Sequence, residues 1–180
     1  MKIELRRITE NDMDMVRKWR MLPDVTRFMY TDPIITMEQQ LQWFKRSQES
    51  DDLNWIIFQD DNPVGLASLV KWDKQNRRIT GGAYIAVKNR DSFKLSVQIQ
   101  YNLLRYAFEK LQVNKVCGEV LRENVGMLKV LELCGSVQEG VLRQHVYKNG
   151  EYHDVIIQST IYEDWIKIKD KAYQHICEIE

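Results

Sequence analysis

The stretch from Asn76 to Gly135 constrains the fold more than any other part of the chain. Its pattern predicts a strand at 78–87, a polar corner at 88–92, a long helix, a second strand at 115–121 and a short helix. The corner leads directly into the long helix, whose first backbone N–H groups have no partner inside the helix. These groups and the helix dipole favour an anion at that position. The stretch therefore predicts an anion site between strand and helix, suited to a pyrophosphate.

Length and charge narrow the class of protein. The 180 residues are enough for one domain with a sizeable core. The 26 basic and 26 acidic side chains cancel, so no strong field favours nucleic acid or an anionic membrane. The three cysteines lack metal-type spacing, which indicates free thiols in a reducing compartment and no metal site. No signal-type apolar run and no stretch of roughly 20 apolar residues is present, so we expect a cytoplasmic protein.

Periodicity predicts one domain over residues 1–180 in which helices flank a mixed, mostly antiparallel sheet, an α/β (α+β) arrangement. Pro23 is expected to end the first helix, and Asn149 with Gly150 predicts a tight hairpin. The tail, about 165–180, is expected to be helical. The predicted strands are 2–8, 53–59, 64–72, 78–87, 115–121, 140–147 and 152–162, and the predicted helices begin at Thr9, Thr36, Ser92, Glu123 and Trp165.

Short patterns in this order resemble the Gcn5-related N-acetyltransferase (GNAT) superfamily. The most specific is the hairpin from Glu139 to His145 with the segment from Tyr147 to Val155. The resemblance runs from about Leu5 to Trp165. Within the superfamily, the chain is most similar to the branch that N-acetylates the 4-amino group of a UDP-linked amino-sugar in pseudaminic acid biosynthesis. Further matching patterns are Val16–Arg20, Pro23–Val25, Phe28–Asp32, Gln42–Phe44, Asn54–Ile57, Pro63–Gly65, Asn76–Arg78, Tyr106–Phe108, Asn114–Lys115, Glu119–Val120 and Glu123–Asn124.

The resemblance implies a GNAT fold in which the central parallel strands 78–87 and 115–121 splay apart. It implies acetyl-CoA as the donor and a primary amine as the acceptor. The pantetheine arm of CoA would lie in the splay, and the pyrophosphate would lie at the polar corner. The residues that the resemblance places on the cofactor are Ile85, Ala86, Val87, Ser92, Phe93, Lys94, Leu95, Ser96 and Asn124.

The polar corner departs from the family pattern. The family carries arginine or glutamine and then a glycine-rich run where this chain has Asp91 to Ser96. Glycine lets a backbone approach a phosphate closely, whereas Phe93 and Lys94 add bulk and Asp91 adds negative charge beside a dianion. Two interpretations stay open. Either Lys94, the helix N-terminus and the hydroxyls of Ser92 and Ser96 still hold a pyrophosphate, or cofactor binding is weak or lost.

Other departures affect the chemistry. Leu131 stands where the family often carries a proton-donating tyrosine, Gln40 stands where close relatives carry histidine, and Gly81-Gly82 replaces an aromatic or acidic residue. Glu119 is a candidate base acting through water, with a solvated strand-end carboxylate as the alternative. Tyr84 is a candidate donor to the leaving thiolate or a wall of the acceptor pocket, with a core aromatic as the alternative.

The acceptor pocket is expected in the N-terminal helices. Trp19, Arg20, Met29 and Tyr30 would line a pocket for a nucleotide-sugar, because an aromatic ring can stack on uracil and arginine can clamp phosphate. Packing in the core is the alternative for Trp19 and Met29. Arg20 is the best candidate, since a buried guanidinium needs an anionic partner.

Three functions remain open. The favoured one is an N-acetyltransferase acting on a nucleotide-linked amino-sugar. The second is a transferase acting on another amine, such as a ribosomal-protein N-terminus, a polyamine or an aminoglycoside. The third is a catalytically degenerate binding module of the same fold. A homodimer through the apolar tail residues Ile166, Ile168, Tyr173 and Ile176 is a further hypothesis.

Overall fold

Eight strands form one mixed sheet in the computed structural model, which describes residues 2–180. The strands are β1 (Ile3–Arg7), β2 (Leu53–Gln59), β3 (Asn62–Asp73), β4 (Arg78–Ile85), β5 (Lys115–Leu121), β6 (Val137–Lys148), β7 (Glu151–Ile161) and β8 (Glu178–Ile179). The helices are α1 (Met13–Arg20), α2 (Pro23–Thr26), α3 (Met37–Glu49), α4 (Ser92–Arg105), α5 (Val125–Leu133) and α6 (Tyr162–Tyr173). Across these described residues, no helix combines the length and the apolar content that a bilayer crossing requires.

The sheet opens at its centre. Its order is β6-β7-β5-β4-β3-β2-β1-β8, and the neighbours are antiparallel except for β4 with β5 and β1 with β8. Beyond Thr80, β4 stays paired with β3 as far as Ile85, while β5 stays paired with β7 as far as Leu121. Each strand thus keeps its outer neighbour and leaves the inner one, which confirms the predicted splay. The only paired positions of β4 and β5 in the described chain are Arg78–Lys115, Ile79–Val116 and Thr80–Cys117.

Capping side chains set the starts of the helices beside this opening. The Asp12 carboxylate accepts the backbone N–H of Thr9 at 2.7 Å and its hydroxyl at 2.9 Å, as part of a capping box that precedes α1. The Asn124 side-chain oxygen accepts the Met127 N–H at 3.2 Å and so caps α5. Pro23 does more than follow α1, because it is the first residue of α2, where its missing N–H leaves no bond unmade.

The two faces of the sheet carry separate cores. One face is covered by α4, α5 and α6, and Ala83 and Ile85 of β4 point toward its core. The other face is covered by α1 and α3, and Tyr84 of β4 packs against a core that includes Trp19 and Leu66. We call these the α4 face and the α1 face. Because side chains alternate along a strand, β4 and β5 each present residues to both faces at the opening.

Two predicted boundaries are corrected, one at the end of the first central strand and one in the tail. The first strand of the central pair ends at Ile85 and not at Val87. The long helix is α-helical only to Arg105 and continues as a π-helical segment, Tyr106–Lys110.

The predicted helical tail ends at Tyr173, and Glu178–Ile179 instead forms β8 along β1. Hydrogen bonds hold this last segment. The Cys177 N–H donates to the Asn102 side chain at 3.0 Å, and the Trp55 indole donates to the Glu180 carbonyl at 2.8 Å. These bonds hold the last segment against α4 and β2, beside the pairing of β8 with β1.

Candidate active site

A cavity of about 480 Å³ lies where β4 and β5 separate. It is mostly apolar and reaches both faces of the sheet. Its walls come from β4, β5, the start of α4, α5 and the segment around α2. Its lining includes Asp24, Phe28, Met29, Tyr84, Ile85, Lys88, Ser92, Phe93, Ser96, Cys117, Glu119, Asn124, Leu131 and Gln158.

Three glycines widen this cavity. Gly82 of β4, Gly118 of β5 and Gly126 of α5 line it, and a Cβ added at any of them would meet no atom within 4 Å. Glycine inside a strand commonly marks the close approach of a ligand. Phe93 lies at the edge of the cavity with its ring half exposed, so it leaves the opening between the strands free.

The start of α4 offers unused donors. The Ser92 N–H donates to the Asn89 carbonyl at 3.2 Å, and the Ser92 hydroxyl accepts the Asn89 N–H at 2.8 Å, which leaves the hydroxyl hydrogen free. Within residues 2–180, the N–H groups of Phe93 and Lys94 donate to no protein acceptor. Two free N–H groups and one free hydroxyl at a helix start suit a phosphate, so the residues present fit the diphosphate of CoA even without the glycine-rich run.

Three of the predicted corner contacts are corrected. The Ser96 hydroxyl donates to the Ser92 carbonyl at 2.8 Å, so its hydrogen is not available to a phosphate. Leu95 is fully buried in the core of the α4 face, and its N–H donates to the Asp91 carbonyl at 2.8 Å. The Lys94 side chain is exposed and lies outside the cavity lining, which leaves only its backbone N–H at the site.

The predicted backbone contacts on β4 are also corrected. The N–H groups of Ala86 and Val87 both donate to the Val64 carbonyl, at 2.7 and 3.0 Å. Because β3 already uses these two donors, a pantetheine arm can pair there only with backbone carbonyl groups. Of the three residues proposed on this strand, only Ile85 lines the cavity.

Glu119 and Tyr30, predicted separately, form a pair at the mouth of the cavity on the α1 face. The Tyr30 hydroxyl donates to Oε2 of Glu119 at 2.8 Å. Burial, together with this hydrogen bond, raises the pKa of Tyr30, so the phenol stays protonated and keeps donating. No donor reaches Oε1 of Glu119 from residues 2–180. The pair therefore presents one oriented, unoccupied carboxylate oxygen.

Tyr84 lines the cavity with an unpaired hydroxyl. The hydroxyl oxygen is buried and has no hydrogen-bond partner in the described chain. Burial raises the pKa of this phenol, so it is neutral and carries its proton. An unpaired buried hydroxyl destabilises a fold by about 1–3 kcal/mol. A ligand that supplies the missing hydrogen-bond partner at this site would remove that cost.

The N-terminal candidates divide between core and site. Trp19 is 8% exposed and packs with Met13 and Val16, so its predicted ligand role is corrected to core packing. Met29 lines the cavity. Arg20 is half-buried and is not among the residues that line the cavity, but its charge interacts with Tyr84, which lines it, and with Asp32.

Lys88 and Asp24 close the mouth of the cavity, which the sequence reasoning missed. Lys88 Nζ lies 3.4 Å from Oδ2 of Asp24 and donates to the Asp24 backbone carbonyl at the same distance. The contact joins the polar corner to α2 across the opening. A lysine directly after the cofactor strand was the available signal, but its partner lies 64 residues away.

The two-faced cavity in a splayed parallel pair, with free N–H groups at the following helix, defines an acyltransferase that uses a CoA thioester. The family model for the acetyltransferase (GNAT) domain matches residues 2–137, and the chain belongs to this family. It is an acetyl-CoA-dependent acyltransferase, which confirms the predicted superfamily, fold, enzyme class and co-substrate.

Two relatives and one solved structure are similar to the chain over most of its length. It is 27% identical to acetyltransferase PseH from Campylobacter jejuni over 180 residues, which cover 97% of this chain and 92% of PseH. It is 21% identical to spermidine N(1)-acetyltransferase from Vibrio cholerae over 156 residues, 86% of this chain and 90% of that protein. The structure of the V. cholerae spermidine N-acetyltransferase with CoA and spermine has a TM-score of 0.85 and covers 92% of this chain and 98% of that one at 18% identity. That last likeness concerns the fold alone.

Proposed function

We propose that this acetyltransferase acetylates the amino group of a nucleotide-linked amino-sugar. The observation that carries the proposal is the state of Arg20. Its guanidinium is half-buried, burial lowers its pKa, and it makes no ion pair within residues 2–180. Its shortest hydrogen bond goes to the Thr31 hydroxyl at 3.1 Å. An arginine in this state suits a phosphate, which it can bind through two parallel N–H groups.

The similarity to PseH also supports the proposed acceptor class, a nucleotide-linked amino-sugar. It extends over 97% of the chain and so includes the segment around α2 as well as the donor site. The amino-sugar branch is also the one that the sequence patterns resemble. Met29 and Phe28 line the cavity on the α1 face and supply apolar surface for a sugar or a base.

The donor supplies an activated acetyl thioester, and the residues of this chain do the rest. The amine nitrogen attacks the thioester carbonyl carbon, the C–N bond forms, and the C–S bond breaks with its electron pair leaving on the CoA sulfur. Glu119 accepts the proton that the amine loses, directly or through water, while Tyr30 fixes its orientation. Tyr84 donates a hydrogen bond to the thiolate, in the role that Leu131 cannot fill.

A polyamine acceptor is the second candidate, and one observation favours it. A second cavity of about 900 Å³ adjoins the first and is lined by four carboxylates, those of Asp24, Asp32, Glu123 and Glu151. Three of them already have a basic neighbour. Lys148 Nζ lies 2.9 Å from Asp32, Lys88 Nζ lies 3.4 Å from Asp24, and the His153 ring lies 3.3 Å from Glu123. Together with the unpaired Arg20, this balance favours an anionic acceptor over a polycation.

An acceptor panel tests the proposal. CoA release is measured with acetyl-CoA and, in turn, a UDP-linked 4-amino-sugar, spermidine, a ribosomal-protein N-terminal peptide and an aminoglycoside. We expect kcat/KM for the nucleotide-sugar to exceed that for every other amine by at least about tenfold, a difference of about 1.4 kcal/mol in transition-state binding. Equal or better turnover of spermidine would favour the second candidate.

Calorimetry with acetyl-CoA tests the degenerate-module alternative. We expect saturable binding with a Kd in the micromolar range, about −8 kcal/mol. The absence of heat at millimolar acetyl-CoA would replace the enzymatic proposal with a binding module.

A homodimer through the apolar tail stays a prediction, and the surface available for it is smaller than the four predicted residues. Ile166, Tyr173 and Ile176 are exposed, but Ile168 packs inward against Gly135 and the core. Sedimentation of the wild type and of Ile166→Glu tests whether this face associates.

A further inference from the structure

A polar group without a partner lies on the α4 face of the cavity. Gln158 of β7 lines the cavity and is 7% exposed. Its Oε1 atom is buried and accepts no hydrogen bond from residues 2–180. Buried polar atoms almost always have a partner, so an unpaired one that faces a cavity points to a ligand.

Empty space adjoins this amide. Gly118 of β5 lies directly opposite Gln158 in the antiparallel register, so both residues present the same face. A Cβ at Gly118 would meet no atom within 4 Å. Val130 and Leu131 of α5 are buried and also line the cavity here. We call Gly118, Gln158, Val130 and Leu131 the β5–β7 pocket.

The pocket lies beside the predicted thioester. Asn124 and Leu131 on α5 are the positions that the family resemblance places near the reacting thioester, and both line the cavity. Leu131 also belongs to the β5–β7 pocket. A substituent longer than the acetyl methyl group would therefore enter the pocket from the thioester without leaving the cavity.

The chemistry of the lining restricts what this substituent can be. The other polar side chains that line the α4 face near the pocket are Gln100, Ser136 and Thr160, all uncharged. Glu119 points to the α1 face, and Lys88 lies at the mouth. A carboxylate or an ammonium group in the pocket would be buried without an opposite charge, which is strongly unfavourable. A hydroxyl group can donate to the Gln158 oxygen, and it can accept from the amide nitrogen if the amide is turned over.

We infer that the enzyme accepts short hydroxyacyl thioesters of CoA, with the acyl hydroxyl bound by Gln158 in the β5–β7 pocket. This inference rests on the proposed donor site. The transfer is the same as for acetyl: the amine nitrogen bonds to the acyl carbonyl carbon, the C–S bond breaks, and no oxidant or reductant is needed. The product is a hydroxyacyl amide of the acceptor.

Calorimetry without an acceptor tests the inference, because no turnover consumes the ligand. The probes are CoA, acetyl-CoA, butyryl-CoA and 3-hydroxybutyryl-CoA. We expect 3-hydroxybutyryl-CoA to bind about tenfold more tightly than butyryl-CoA, the difference that one buried hydrogen bond supplies. We also expect it to bind at least as tightly as acetyl-CoA.

Two variants isolate the pocket. Gln158→Leu keeps the side-chain volume and should abolish the difference between hydroxybutyryl-CoA and butyryl-CoA, while CoA and acetyl-CoA bind as before. Gly118→Val should weaken both four-carbon thioesters by about tenfold or more by filling the space, and should weaken them more than it weakens CoA. Gly140→Val is the matched control, because Gly140 also lies in a strand with open space at its Cβ and does not line the cavity.

Three binding results would contradict the inference, and they separate it from the proposed acetyltransferase function. If both four-carbon thioesters bind tenfold more weakly than acetyl-CoA to the wild type, the pocket does not hold an acyl substituent and the inference is wrong, while the acetyltransferase proposal stands. If Gln158→Leu weakens CoA itself as much as the thioesters, the amide binds the pantetheine arm, and the inference is again wrong. If no CoA species binds, the proposed donor site fails and the inference fails with it.

Discussion

The two faces of the cavity are built in different ways. The α4 face comes mainly from the stretch between β4 and α5, to which β7 adds Gln158, and it is uncharged around Gly118 and Gln158. The α1 face is closed by contacts between distant segments. Tyr30 and Glu119 are 89 residues apart in sequence, and Asp24 and Lys88 are 64 apart. The donor site is thus encoded locally, whereas the acceptor site depends on tertiary packing.

Removing the proposed base should reduce turnover more than any other substitution that we propose. The substitution alters only the α1 face of the cavity. Glu119→Gln keeps a hydrogen-bond acceptor for Tyr30 but cannot take a proton from the amine. We expect kcat to fall by roughly a hundredfold or more, with the Kd for acetyl-CoA unchanged. Turnover and calorimetry measure the two quantities separately.

Glu123→Gln is the control for this variant, because Glu123 is a nearby carboxylate that lines only the second cavity. Equal loss of turnover in both variants would mean that turnover depends on negative charge near the mouth of the cavity, and that Glu119 does not act as the base. Weaker acetyl-CoA binding in Glu119→Gln would show that the two faces are not separable.

The fold was predictable where the sequence pattern is local. The strands 53–59 and 115–121 have the predicted bounds, and the Thr9 and Asn149-Gly150 signals mark the turns that the structure contains. The C-terminal strand β8 was not predictable, since a two-residue strand has no periodicity of its own. It forms because its hydrogen-bond partners on β1 are exposed at a sheet edge.

The site was predictable only in part for the same reason. Glu119, Tyr84 and Asn124 line the cavity as expected, because strand and helix ends place them at the opening. The Tyr30–Glu119 bond and the buried state of Trp19 depend on how α1 and α2 pack, which one sequence does not specify. The free N–H groups at the corner follow from the predicted start of the helix. The loss of Lys94, Leu95 and Ser96 as side-chain contacts depends on packing and internal hydrogen bonds that one sequence does not specify.

A second prediction concerns Asn124, which both caps α5 and faces the donor site. Asn124→Ala should lower the free energy of unfolding by about 1 kcal/mol through loss of the cap, and it should also weaken transfer. Asn124→Asp keeps the capping oxygen and removes the amide N–H donor. We expect Asp to restore the melting temperature and to leave KM for acetyl-CoA raised by about tenfold. Full activity of the Asp variant would reduce Asn124 to a structural role.

The rates of thiol labelling should distinguish the cysteine on the α1 face of the cavity from the two buried cysteines. Burial raises the pKa of Cys134 to about 12 and that of Cys177 to about 11, so neither should react in the folded protein at pH 8. Cys117 is half-buried and lines the cavity on the α1 face; burial raises its pKa too, so its labelling rate should increase as pH rises above 8.

Acetyl-CoA at ten times its Kd should slow the labelling of Cys117 by about tenfold if the acetyl group reaches the α1 face. Cys117→Ser is the control and should show no reactive thiol. Labelling that is slowed by an amine acceptor but not by acetyl-CoA would assign Cys117 to the acceptor site alone.

The smallest expected effect tests the electrostatics of the polar corner. Asp91 precedes α4 and makes no side-chain capping bond, so its charge opposes a phosphate there and favours the helix start only through the helix dipole. Asp91→Arg should tighten CoA binding by roughly two- to fivefold at low salt, because the residue is partly exposed and solvent screens the interaction. Asp170→Arg on the exposed side of α6 makes the same change in net charge away from the cavity. A gain confined to Asp91→Arg that disappears in 1 M salt would place the diphosphate at the start of α4. An equal gain in both variants would attribute the effect to net charge, and a loss in Asp91→Arg would mean that the diphosphate lies elsewhere.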